Sequence, residues 1–196
     1  MPQISEREFE VLPLRVHGFL AEVPLHDVWA VDLPKPRAGI TLDEFRRVAG
    51  VRLFTPSVAV RALVAVRRFV GRLLGWDRTP SEKPLAFFAD RLTPADRALS
   101  LAPAGTREGT GGLRVVYRFE NEQLDEVVNR TVHAAALRAL VETANSYRFY
   151  LAVYVSNVGR LTPLYMALID PFRKLIVYPS LLRSVRENWN RTVGAV

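Results

Sequence analysis

Four strand-like segments follow one another between Leu113 and Asn157, and only short connections separate them. Short connections favour antiparallel neighbours, because a parallel pair needs a long crossover. Asparagine or a Thr/Ser-containing stretch, both typical of turns, stands at each junction. We therefore predict an antiparallel sheet with these strands: Leu113 to Phe119, Glu122 to Val128, Arg130 to Val141 and Tyr147 to Asn157.

A further strand and two short helices precede this group. His26 to Leu33 lies between two prolines and alternates in a way that indicates the first strand. Thr41 and Glu44 have capping-box spacing, which predicts a helix to about Val48. Thr55 to Gly75 begins with a threonine N-cap and a first-turn proline, and it predicts a second helix with an apolar face and an arginine face. The sheet is then expected to have about five to seven strands.

The C-terminal segment, Thr162 to Asn190, begins with the same threonine and proline pair and predicts a long helix. Pro171 and Pro179 inside it each remove a backbone donor and crowd the preceding turn. We therefore expect kinks or breaks near Asp170 and Tyr178. The charged Asp170 and its basic neighbours lie within the apolar stretch, which favours a buried core helix over a membrane span.

Two stretches carry weaker patterns. Residues 1–24 mix apolar and charged side chains and are interpreted as an N-terminal extension packed on the domain. Residues 77–112 are rich in Pro, Gly and charge, and they predict a long loop or lid region with a short helix at Thr93 to Leu99. The Gly-rich run Gly105 to Gly112 lacks the Gly-Lys-[Ser/Thr] ending of a phosphate loop, so we interpret it as a hairpin or lid turn.

Length and composition predict a single domain over residues 1–196, because 196 residues with 49% hydrophobic and 24% charged side chains suit one folded core. The chain has no cysteine, which excludes disulfides, thiolate zinc sites and a cysteine nucleophile. Its three histidines have no metal-ligand spacing, so neither a metal nor a cofactor is predicted. The acidic residues near Met1 are unlike a signal peptide, and the expected location is the cytoplasm.

The net charge of +7 is concentrated in two predicted helices. Pro56 to Trp76 has four arginines and no acid, and Pro171 to Arg191 has five bases and one glutamate. Such faces attract anionic lipid or nucleic acid, although a solvated helix face has the same pattern. An anionic membrane surface is therefore a possible partner, whereas nucleic acid is not expected because exposed-looking aromatics are not interleaved with the bases.

The C-terminal segment resembles a known family. Arg160 to Val177, with the order Arg-Leu-Thr-Pro-Leu-Tyr-Met-Ala-Leu-Ile-Asp-Pro-Phe-Arg-Lys-Leu-Ile-Val, is similar to the ending of an uncharacterised bacterial family of domains of unknown function. Asp27 to Pro34, Ser57 to Trp76 and the Phe-Glu-Asn-Glu turn at Phe119 extend the likeness to about residues 26–190.

That family resembles the START-like, or SRPBCC, helix-grip superfamily of ligand-binding proteins. The resemblance implies an α+β helix-grip fold, in which an antiparallel sheet wraps around a long kinked C-terminal helix and leaves a cavity for a hydrophobic small molecule. It implies no catalytic residue, because the matching motifs are packing motifs.

His133 is the candidate catalytic residue. On the strand from Arg130 to Val141, alternate positions place it among small and apolar neighbours that share one face. An imidazole in such a place can orient or protonate a ligand. The alternative is a core histidine satisfied by a neighbouring side chain.

The candidate ligand-binding residues are side chains that can line an apolar cavity and offer a polar group to its contents. Tyrosine suits this role because its ring is apolar and its hydroxyl forms hydrogen bonds. Tyr154 and Tyr165 are preferred, one in mid-strand and the other on the closing helix. Glu122, Asp125 and Arg130 lie near strand ends, where charges are expected to meet water. The full set is Trp29, Tyr117, Thr131, His133, Tyr154, Tyr165 and Phe172.

Three functions remain open. The first is a module that binds a lipid-like or aromatic molecule in the cavity. The second is a cyclase-like or dehydratase-like enzyme that uses His133 with a tyrosine or carboxylate. The third is a lipid binder that docks on an anionic membrane through its basic helices.

Overall fold

The computed structural model describes residues 3–49, 87–108, 113–128, 132–159 and 161–193. Within them the chain is a mixed α+β protein with an antiparallel sheet and a long C-terminal helix, as predicted. The helix predicted from Thr55 to Gly75 and the strand start at Arg130 and Thr131 lie outside the described residues.

In the part of the chain that the structure describes, the sheet has six strands in the spatial order β1-β6-β5-β4-β3-β2. Every neighbouring pair is antiparallel, which confirms the prediction made from the short connections. The turn at Asn121 joins two of the predicted strands, and its carbonyl accepts the N–H of Leu140 at 2.8 Å. The strands are β1 Leu25–Pro34, β2 Arg107–Glu108, β3 Leu113–Arg118, β4 Glu122–Val128, β5 His133–Glu142 and β6 Ser146–Ser156.

The two predicted short helices that fall in described residues are present. Leu42–Val48 is capped by Thr41, whose hydroxyl accepts the N–H of Glu44 at 3.3 Å. Pro94–Leu99 is capped by Thr93 in the same way. In chain order the helices are α1 Glu6–Glu10, α2 Arg15–Phe19, α3 Leu42–Val48, α4 Pro94–Leu99, α5 Leu161–Phe172 and α6 Tyr178–Val193, with a 3-10 turn at Phe88–Arg91.

A π-helical turn, Arg173–Val177, joins α5 to α6. The N–H of Tyr178 donates to the carbonyl of Arg173, five residues earlier, so the widened turn lies between the two prolines. Pro171 and Pro179 therefore do not break the helix. The irregularity lies where kinks or breaks were predicted, but a wider turn accommodates the prolines.

The C-terminal helix, Leu161–Val193, packs on one face of the sheet, which we call the helix face. Apolar side chains of β1, β5 and β6 meet α3 and α6 there in one buried cluster. Trp189 belongs to this cluster, with its ring centroid 5.2 Å from that of Phe45 at a tilt of 53°, and its indole N–H donates to the carbonyl of Pro34 at 2.9 Å. Because a sheet face this apolar is stable only when covered, this contact holds the two layers together.

The N-terminal extension covers the opposite face of the sheet, which we call the N-terminal face. It consists of α1, α2 and the chain between them, a structure that the sequence pattern did not predict. Phe9 and Val16 are fully buried against strand residues such as Leu137 and Tyr150. Residues 3–24 are thus an integral layer of the domain. Among the described helices, none is both long and apolar enough to cross a membrane.

Candidate functional site

A cleft of about 500 Å³ opens between the N-terminal extension and the end of β6. Its floor includes the apolar side chains of Leu20, Val23 and Leu25 together with the ring of Tyr154. Its polar lining comes from three glutamates and one histidine: Glu6, Glu10, Glu22 and His17. A volume of this size is within the range of small-molecule sites, roughly 300–1,000 Å³.

The first wall of the cleft is α1, whose start is fixed locally. The Ser5 hydroxyl accepts the N–H of Glu8 at 3.2 Å, and two acidic residues, Glu6 and Glu8, lie in the first turn, where the helix dipole favours negative charge. The helix therefore presents Glu6 and Glu10 along the cleft.

The second wall is α2, whose start is fixed from a distance. Its N-cap residue, Leu14, has no side chain that can accept a hydrogen bond. Instead the Glu122 carboxylate, on β4, accepts the N–H of Arg15 at 3.1 Å. A strand residue thus supplies the cap that the local sequence lacks, and it anchors the cleft wall to the sheet.

The charge around the cleft is opposite to that of the chain as a whole. Glu6, Glu10 and Glu22 are exposed at the rim, whereas the whole chain carries +7. His17 lies between them and packs edge-on against Phe9 with ring centroids 4.9 Å apart. Burial lowers the pKa of His17, which favours the neutral imidazole. The cleft is therefore suited to a ligand with a positive group.

A buried carboxyl lies beneath the floor. Burial raises the pKa of Glu122 from 4.5 to about 7, against the opposing effect of the Tyr117 hydroxyl and the N–H groups of Arg15 and Val16. Burial also raises the pKa of Tyr154, and the Glu122 charge adds to that shift. The Tyr117 hydroxyl lies beside the Glu122 carboxyl, and burial raises the pKa of both groups. Glu122 can therefore take up or release a proton near neutral pH.

The structure separates the residues predicted to bind ligand. Tyr117 and Tyr154 lie on the N-terminal face, and Tyr154 lines the cleft. Trp29 lies on the helix face, 5.5 Å from the ring of Tyr178. Phe172 is 44% exposed on the C-terminal helix. The predicted liners therefore do not surround one cavity.

Two further predicted liners lie outside the described side chains. Thr131 lies outside the described residues, and Tyr165 lies on α5 but its side chain is not among those described. Because Tyr154 faces the N-terminal extension, it lies on the opposite side of the sheet from the helix that carries Tyr165.

His133 is a buried member of a small polar cluster on the N-terminal face. Its Nε2 lies 3.2 Å from a Glu126 carboxylate oxygen, and its ring stacks on Phe88 at 3.9 Å. The same Glu126 oxygen accepts the N–H of Phe88 at 2.7 Å. His133 is 4% exposed and is not part of the cleft lining. This environment matches a core histidine satisfied by its neighbour.

The expectation that Glu122 and Asp125 meet water is wrong, because they are 1% and 0% exposed. Asp125 accepts a hydrogen bond from Arg138 at 2.5 Å and another from Gln123 at 2.8 Å. Glu122 begins β4 but Asp125 lies in its middle, and a sheet covered on both faces buries both positions. Buried charges are retained when they are paired.

The cleft residues of the extension, Glu6, Glu10, His17 and Glu22, were not among the sequence candidates. An acidic run was visible there, and it served only as evidence against a signal peptide. The Ser-x-x-Glu spacing of Ser5 and Glu8 is the signal that could have located the start of α1.

A second polar cluster lies on the helix face. His26 Nε2 is 2.9 Å from both carboxylate oxygens of Asp170 and 4.0 Å from the carboxylate of Asp27. Burial raises the pKa of Asp27, with Arg173 acting in the opposite direction. Among the described residues, this histidine and the two aspartates are the set that could hold a metal ion.

A scan against protein families matches residues 19–180 to a family described as protein of unknown function (DUF2867). No curated protein and no solved structure matches the chain. The family match includes all six strands and runs from the last residue of α2 to the start of α6. On the strength of that match, the chain belongs to the DUF2867 family.

Proposed function

We propose that the protein binds a small amphipathic molecule, with an apolar body and an amine, in the cleft between the N-terminal extension and β6. The observation that carries the proposal is the set of three glutamates at the rim of an apolar floor, on a chain that is otherwise basic. Clefts of one charge attract ligands of the other, and an apolar floor favours the body of such a ligand. The proposal keeps the hydrophobic ligand predicted from the sequence and adds a positive group.

The proposal also keeps the START-like assignment. It is supported by an antiparallel sheet that packs one face on a long C-terminal helix. In the described residues, however, large side chains fill that contact, including Trp29, Phe149 and Trp189. For this reason we assign the ligand to the N-terminal face.

Binding is preferred to catalysis because the candidate catalytic residue, His133, is enclosed by Phe88 and Glu126. Glu122 is the group that could support an acid–base reaction, and its pKa of about 7 suits that task. The Glu122 carboxylate, however, has a structural role, because it caps α2 through the N–H of Arg15.

Two probes of equal chain length test the proposal: decylamine and decanoate. Isothermal titration calorimetry with the whole chain should show saturable binding of decylamine and much weaker binding of decanoate. The triple variant Glu6→Gln, Glu10→Gln, Glu22→Gln should weaken decylamine binding by about tenfold or more, because it removes the rim charge.

Glu187→Gln is the matched control, since this exposed glutamate lies on α6, on the other side of the sheet. It removes one charge of the same kind and should leave decylamine binding unchanged. Equal affinity for decylamine and decanoate, or equal loss in the control and the triple variant, would contradict the proposal.

A second candidate function is docking on an anionic membrane. Three apolar side chains are exposed along the C-terminal helix at i, i+4 and i+7: Leu168 at 54%, Phe172 at 44% and Leu175 at 76%. Exposed arginines follow on α6 at positions 183, 186 and 191. Apolar insertion combined with basic residues favours anionic lipid.

Flotation with phosphatidylserine-containing vesicles tests this second candidate. Binding should weaken as salt rises and should be reduced in the variant Leu175→Ser, whereas pure phosphatidylcholine vesicles should not bind. Equal flotation with both vesicle types would exclude it.

A further inference from the structure

Two backbone irregularities meet on the helix face of the sheet. A β-bulge between Leu25 and Asp27 shifts the register of β1 against β6. The π-helical turn begins at Arg173, directly after α5. Bulges re-aim side chains and π turns recur at functional sites, so the groups between these two irregularities form a candidate site.

The bulge places two successive side chains against the same helix. In a regular strand His26 and Asp27 would point to opposite faces. Here His26 lies 2.9 Å from the Asp170 carboxylate, and Asp27 lies 3.2 Å from the guanidinium of Arg173. One imidazole and two carboxylates therefore converge from β1 and α5.

The distances among these three groups suit one metal ion. Their donor atoms all lie within 4.8 Å of one another. Donors about 2.1 Å from a common ion are separated by at most roughly twice that distance, so only small side-chain adjustments are needed. The combination of one nitrogen and two oxygens is suitable for Mn²⁺, Co²⁺ or Zn²⁺.

An independent observation concerns Asp27. Its side chain is 0% exposed, and its Oδ1 has no hydrogen-bond partner among the described residues. A buried carboxylate oxygen without a donor is costly. A cation bound at this carboxylate would supply the missing interaction.

Two basic residues neutralise the negative charge of the carboxylates in this structure. Arg173 donates to Asp170 at 3.1 Å as well as to Asp27, and Lys174 lies 3.6 Å from Asp170. Arg173 also donates to the Tyr178 hydroxyl at 2.7 Å, which gives its guanidinium a second anchor on α6. A metal ion would have to compete with Arg173 for both carboxylates.

We propose that His26, Asp27 and Asp170 form a binding site for a divalent transition-metal ion, and that Arg173 occupies the carboxylates in its place when the metal is not bound. The site lies on the helix face, opposite the cleft, so it does not depend on the proposed ligand.

Calorimetric titration of the whole chain with Mn²⁺, Co²⁺ and Zn²⁺ tests the site, and Co²⁺ also reports its coordination by visible absorption. One equivalent should bind. His26→Gln and Asp170→Asn should each weaken binding by about tenfold or more, because each removes a ligand. Both side chains are partly exposed, at 24% and 19%, so these variants are expected to fold.

Asp32→Asn is the matched control, since Asp32 lies on the same strand and is 69% exposed. It should leave metal binding unchanged. The absence of saturable binding for all three ions, or binding that persists in His26→Gln and Asp170→Asn, would overturn the proposal.

The variant Arg173→Gln separates this proposal from a purely structural ion-pair cluster. It removes the competing cation, so metal affinity should rise, and added Co²⁺ should raise its Tm more than that of the unmodified chain. If Arg173→Gln instead lowers the Tm and metal does not restore it, the cluster serves only to join the helix to β1.

Discussion

The carboxylate of Glu122, in the first position of β4, accepts the backbone N–H of Arg15, in the first position of α2, at 3.1 Å. The two residues are 107 positions apart, and the carboxylate replaces the cap that Leu14 lacks. This contact joins the N-terminal extension to the sheet and holds one wall of the cleft in place. It also buries a carboxyl group, which makes folding sensitive to pH.

Glu122→Gln should change how stability depends on pH. Because burial raises the Glu122 pKa from 4.5 to about 7, the folded chain holds this proton more tightly than the unfolded chain. The stability that protonated Glu122 contributes to the fold is fully present below pH 4.5 and is lost as pH rises through about 7. Glutamine keeps an oxygen for the Arg15 N–H without a charge, so the variant should be more stable than the unmodified chain at about pH 8, and the difference should shrink at about pH 5.

Urea denaturation at both pH values measures this difference. Glu120→Gln is the control, because Glu120 is exposed two positions earlier. A Glu122→Gln chain that loses stability equally at both pH values would show that the charge itself, and not its burial, is important for the cap.

Arg138→Met should destabilise the fold strongly. Arg138 and Asp125 are 2% and 0% exposed, and they form a pair at 2.5 Å on the helix face. Removing one partner of a buried ion pair leaves the other charge without compensation, at a cost of about 3–5 kcal/mol. Urea denaturation gives the free energy of unfolding, and a loss below about 1 kcal/mol would be typical of an exposed pair instead.

Trp189→Ala and Phe172→Ala form a matched pair of aromatic truncations on the C-terminal helix. Trp189 is 2% exposed and packs in the cluster with Phe45, so its loss should cost about 3–5 kcal/mol. Phe172 is 44% exposed, and its loss should change stability by about 0.5 kcal/mol or less. Comparable losses in the two variants would mean that Phe172 is covered in solution.

The elements of this fold that were predictable from sequence depend on neighbours in the chain. Thr41 caps α3 by accepting the N–H of Glu44, three positions later, and the turn at Asn121 joins adjacent strands. Proline positions likewise marked where the C-terminal helix becomes irregular, although not that a π turn would replace a break. The two helices of the extension were not predicted because α1 and α2 have five residues each, too few for periodicity to identify a helix.

The candidate sites were less predictable, because their contacts are between distant parts of the chain. His26 and Asp170 are 144 positions apart, and the bulge that turns His26 toward the helix has no sequence signature. Glu122 was predicted to be a strand-end charge exposed to water. Its burial follows from its contact with α2, a helix that the local pattern did not predict.

His133→Ala tests whether the histidine singled out by its apolar strand face has a structural or a functional role. The variant removes a stacked ring and leaves the buried carboxylate of Glu126 with fewer partners. The free energy of unfolding should fall by about 2–5 kcal/mol.

Decylamine affinity, measured where the His133→Ala variant is fully folded, should stay unchanged because His133 does not line the cleft. Tyr154→Ala is the comparison, since Tyr154 lines the cleft and its truncation should weaken binding. A His133→Ala chain of normal stability that no longer binds decylamine would instead place the histidine in the ligand site.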